Sequence, residues 1–118
     1  MNGNLNLVSE NAEVAVSFRM CGVSEPEMRK WMGIIVGIPC EWHRQKGTDE
    51  YVFICDLDEV VKTQKLQDVL TTEKLPDEHG LYVSLVSDRD NDGVRLASFI
   101  SEFYRKVGGT IDFSYVSV

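Results

Sequence analysis

The chain has 118 residues, 43% of them hydrophobic and 26% charged, the balance of one globular domain (1–118) rather than of a disordered segment. Nineteen acidic side chains against twelve basic ones give a net charge of −7, the wrong sign for gripping nucleic-acid phosphates or an anionic membrane. A basic protein is the natural complement.

In chain order, Met1 to Val8 carries no Lys or Arg ahead of its apolar residues, and no apolar run nears the ~20 residues of a membrane helix. Three cysteines at wide spacing (Cys21, Cys40, Cys55) make no disulfide framework, so a cytoplasmic protein with reduced thiols is expected. Glu13–Cys21 alternates, with Val14, Val16, Phe18 and Met20 on one side, which predicts a half-buried strand. Ser24-Glu-Pro-Glu27 has the spacing of a capping box and opens a helix predicted over 25–33, with Gly33 as its stop. Ile34–Pro39 reads as a strand or a buried loop, and the polar stretch from Cys40 to Glu50 as a turn around Gly47. Tyr51–Leu57 predicts a strand covered on both faces. From Glu59 the period becomes helical, with Val61, Leu66, Val69 and Leu70 on one stripe. Residues 75–80 form a loop, 81–86 a strand, and 87–93 a polar turn in which Asp92 caps a helix over 94–107. Gly108-Gly109 ends that helix, and 110–116 makes a last strand with Ile111, Phe113 and Tyr115 on one face. This order predicts an α+β two-layer sandwich of four to five strands with the helices on one face.

Two strings resemble metal loops and fall short. Asp88-Arg-Asp-Asn-Asp-Gly93 has the oxygens and glycine of the first half of a calcium loop, but Phe99 stands where a bidentate Glu is required. Cys40-Glu-Trp-His43 is one ligand pair where a structural zinc site has two. No metal or cofactor is therefore expected. Neither His43 nor His79 sits in a catalytic signature, and no Gly-rich phosphate loop or G-x-S-x-G string is present, so no catalytic residue is assigned and no enzyme is expected. The weakest alternative is a small hydrolase using Asp56 and Asp58, two residues apart.

The surface carries more. Asp56, Asp58 and Glu59 in one strand-to-helix turn, and Asp88, Asp90 and Asp92 in another, lie at one end of the sheet if their strands run parallel. Such a patch steers a basic partner, with Trp42 and Tyr82 as aromatic anchors. The sheet face away from the helices offers Ala15, Ser17, Arg19, Tyr82 and Ser84, a surface for water or for a second copy.

Val14–Met20, the capped helix Ser24-Glu-Pro-Glu-Met…Met32-Gly33, the Lys46-Gly47 turn and Phe99…Gly108-Gly-Thr-Ile-Asp-Phe113 together resemble an uncharacterised family of small bacterial domains found beside polymorphic toxins. Such domains are proposed immunity proteins. The resemblance spans most of the chain, with one departure: Pro39 lies six residues beyond Gly33, where the family has a Pro soon after that glycine. It implies a protein that binds and neutralises a cognate toxin domain of the contact-dependent growth inhibition type. A basic nuclease toxin suits the acidic charge. The alternative is a cytoplasmic binding or regulatory module acting as a homodimer through the open sheet face.

Overall fold

The computed structural model describes residues 8–9, 12–87 and 96–117. Its sheet is built on β2 (Ala12–Val23), where the alternation is longest. β4 (Tyr51–Asp56) pairs antiparallel with one edge of β2, and β5 (His79–Ser87) pairs antiparallel with the other. β3 (Glu41–Arg44) adds antiparallel to β4, while β6 (Thr110–Ser117) adds parallel to β5. The order is β3-β4-β2-β5-β6, a mixed five-stranded sheet, with the two-residue β1 (Val8–Ser9) alongside β2.

Among the described residues three helices complete an α+β fold: α1 (Glu25–Ile34), α2 (Val60–Leu70) and α3 (Ser98–Val107). All three share one core with a single face of the sheet. Val16, Phe18 and Met20 of β2, Phe53 and Cys55 of β4, and Leu81 and Val83 of β5 meet Trp31 of α1, Leu66 and Leu70 of α2, and Ile100 and Phe103 of α3. Phe18 is fully buried at its centre, edge-on to Phe53 at 6.2 Å and to Phe103 at 5.4 Å. Burying residues of this size is the main drive for folding, at roughly 1.5–3 kcal/mol for each large apolar side chain.

Several elements depart from the periodicity. α1 runs through Gly33 to Ile34, because nothing crowds that glycine and the helix interior tolerates it. The strand between 34 and 50 lies in the polar Glu41–Arg44 segment rather than at Ile34–Pro39, and Gly47 makes its turn with a positive φ of 80°. In α2 the buried stripe is Thr63, Leu66 and Leu70, while Val61 is 60% exposed. Thr63 tolerates burial because its hydroxyl donates to the Glu59 carbonyl at 2.7 Å. β4 is covered by helices on one face only; Val52 and Ile54 on the other are half-exposed. α3 starts at Ser98, four residues later than its pattern, with Ala97 at the N-cap position and no side-chain cap. The Asp92 cap and the acidic turn 88–93 lie outside the described residues.

The capping box forms as expected: Ser24 Oγ accepts from the Glu27 amide, and Glu27 reaches back to the Ser24 amide. Ile111, Phe113 and Tyr115 share a face as predicted, in register with Leu81, Val83 and Leu85. They are nevertheless 36%, 63% and 46% exposed. The reason is that Phe103 anchors α3 over Phe18 of β2, inward of the strand that the helix leads into.

Candidate functional site

Because β4 and β5 are both antiparallel to β2, they run parallel to each other and their C-terminal ends share one end of the sheet. Asp56, Asp58 and Glu59 stand at that end. Asp56 is exposed at the end of β4, in register with Ser17. Asp58 is bound by Lys62, whose Nζ donates to it at 3.0 Å. That hydrogen bond holds the Asp58 carboxyl below its ordinary range. Glu59 is exposed at the N-cap position of α2, its side chain capping nothing. Asp88, Asp90 and Asp92, the other half of the expected patch, lie outside the described residues.

The two aromatic anchors fall on opposite faces. Trp42 turns to the helix side and packs on Phe53, ring centroids 5.0 Å apart. Tyr82 is on the open face beside Ser17 and Asp112 in the register. Its ring carries the Arg19 guanidinium 4.0 Å from its centroid, and Arg19 Nε donates to Ser17 Oγ at 3.3 Å. Stacking and the Ser17 hydrogen bond hold Arg19 in place.

A second acidic site appears at the other end of the sheet. At Met20–Val23 the register of β2 against β4 shifts in a bulge, with Gly22 at a φ of 65°. The bulge bends the end of β2, and the Cys21 amide donates to the Glu78 carbonyl at 2.9 Å, which ties the 75–78 loop to it. Around it open two adjoining depressions. One, of about 520 Å³, is lined by Cys21, Glu27, Glu50, Lys74, Asp77 and Glu78. The other, of about 240 Å³, is lined by Arg19, Cys21, Glu78, Tyr82, Thr110 and Asp112. Together they form a groove with five carboxylates and two cations. Glu50, Asp77, Glu78 and Asp112 form no ion pair among the described residues, so their charge is available to a partner. The thiol of Cys21 registers this field. Burial raises it above its ordinary range, the Glu78 carboxylate raises it next, and Asp112 adds to the rise while Arg19 opposes it.

In the sequence Glu27 belongs to the capping box and Asp77 and Glu78 to the 75–80 loop, with nothing to join them at one site. Glu50 and Asp112 carried no signal, since each is a lone carboxylate in its segment. Four segments far apart in sequence contribute, and only strand order brings them together.

Chemistry at the remaining polar side chains is local. His43 Nε2 is 2.7 Å from Glu41 Oε1, and His79 Nδ1 is 2.6 Å from the Pro76 carbonyl. Among the described residues no group of three or more His, Cys, Asp or Glu side chains converges as metal ligands. Among them, too, no helix is long and apolar enough to cross a membrane. Compared with family models, curated proteins and solved structures, the chain matches none.

Proposed function

We propose that the protein is an immunity protein, which binds a basic toxin domain and blocks its activity by occupying the toxin's cationic surface with the acidic groove. The observation that carries this reading is the groove itself: Glu50, Asp77, Glu78 and Asp112, without ion pairs among the described residues, around two depressions beside a stacked Arg19–Tyr82 pair. Exposed carboxylates on a −7 protein raise the rate of encounter with a basic partner. The depressions receive its Lys or Arg side chains, and Tyr82 supplies a rigid aromatic surface beside them. Asp56 and Glu59, at the far end of the sheet, extend the same sign of charge and steer rather than anchor.

The test uses purified candidate toxin domains with basic surfaces. A 1:1 complex is expected, with association slowing steeply as salt is added and with loss of toxin activity on binding. The double variant Glu78→Lys, Asp112→Lys is expected to slow association by roughly tenfold or more at low salt. Failure to bind any of these toxin domains, or equal binding by the double variant, overturns the proposal.

A further inference from the structure

The β3–β4 pairing brings two of the three thiols face to face. Glu41 pairs with Ile54 and Trp42 with Phe53, so the next step of the same register sets Cys40 opposite Cys55. The ladder also fixes the kind of pair. The Gln45 amide donates to the Glu50 carbonyl at 2.8 Å, which makes 45 and 50 a hydrogen-bonded pair. By alternation, 43–52 and 41–54 are hydrogen-bonded pairs, whereas 44–51, 42–53 and 40–55 are not. In such a non-hydrogen-bonded pair the Cα atoms stand roughly 4.5 Å apart and the side chains are drawn together, within the roughly 4.4–6.8 Å that a disulfide spans.

Both side chains lie on the helix side of the sheet. Trp42 packs on Phe53 there, and residues two positions along a strand share a face. Cys55 is accordingly buried in the core, and Cys40 is half-buried against it. Cys55 Sγ donates to the Pro39 carbonyl at 3.5 Å, so this sulfur already rests on the peptide unit that leads into Cys40.

We infer that Cys40 and Cys55 form a cross-strand disulfide in the folded protein, made by exchange with a small disulfide oxidant such as oxidised glutathione. Cys40 opens the reaction: its proton passes to water, its thiolate attacks one sulfur of the oxidant, and one glutathione thiolate leaves. Cys55 then loses its proton and attacks the Cys40 sulfur, displacing the second glutathione thiolate. Two protein thiols are oxidised to one disulfide, and the oxidant is reduced to two thiols. Burial raises both protein thiols, to about 12 at Cys55, and the Lys62 ammonium opposes the rise at each. The more accessible Cys40 therefore takes the first step, and the second proceeds because the two sulfurs are held together. The link closes 40–55 into a ring and fastens β3, the outer strand on this side of the sheet, to β4.

This inference stands apart from the toxin-binding reading, since the pair lies at the Asp56 end of the sheet and Cys21 lines the groove at the other. The full native chain is incubated with oxidised glutathione at pH 8, quenched in acid and mapped by mass spectrometry without reduction. A peptide joining Cys40 to Cys55 is expected, with Cys21 outside the link. The linked protein is expected to melt about 10 °C above the reduced one, and dithiothreitol to reverse the shift. Prior alkylation of Cys40 or the variant Cys40→Ser is expected to abolish the link, Cys55→Ser to leave glutathione stably on Cys40, and Cys21→Ser to leave the link intact. Glutathione retained on Cys40 of the native wild-type chain with no 40–55 link overturns the inference. So does a link through Cys21, or a linked protein that melts no higher than the reduced one.

Discussion

Cys55 shows how little the identity of a residue says about its chemistry. In the sequence it is one of three equivalent thiols. In the fold it lies on the core face of β4, and burial pushes its thiol up to about 12. Cys21 and Cys40 are half-buried, and their thiols are raised less. Since the thiolate is the reactive form, a thiol reagent at pH 8 is expected to modify Cys21 and Cys40 in the native protein and Cys55 only on unfolding. Peptide mapping of the labelled sites checks this. Asp58 makes a second case. Its carboxyl is lowered in the fold by Lys62, so the pair stabilises above the ordinary carboxylate range and the contribution is lost as pH falls through it. The pair is largely solvated on the Asp58 side, which limits it to about 0.3–0.5 kcal/mol. Asp58→Asn is expected to lose that much at neutral pH in urea unfolding, with the difference vanishing in acid.

Among the elements, the junction of β5 with β6 is the most sensitive to side-chain size. Gly80 faces Thr110 across the parallel ladder, and a Cβ there would run into the Thr110 backbone. Backbone cannot step aside as a flexible side chain can, so Gly80→Ala must push β6 away from β5. A loss of about 1–3 kcal/mol in urea unfolding is expected, with faster amide exchange along β6 than along β2. The same change deforms the smaller depression of the groove, which Gly80 and Thr110 both line. α1 was the element most legible in the sequence, because its capping box is a local pattern of four residues. β3 was the least legible. Its four residues, Trp42 among three polar ones, are too few to show a period, and pairing with β4 and the packing of Trp42 on Phe53 make them a strand.

For the whole molecule, the net charge of −7 is the property that bears on association. The proposed complex of the groove with a basic toxin domain is expected to weaken as salt is added. Composition, the alternation of β2 and the helix stripes were enough to determine an α+β domain with its helices on one face, because those signals are local and repeat with fixed periods. They also determined the acidic sign of the surface. Where the acid collects was decided only by tertiary structure. Glu27, Glu50, Glu78 and Asp112 are neighbours because β2 lies between β4 and β5 and bulges at Gly22, and no period along the chain encodes strand order. The exposure of the β6 row has the same origin. Ile111, Phe113 and Tyr115 share one face by their spacing, and it is the seat of Phe103 on Phe18 that leaves them outside the core.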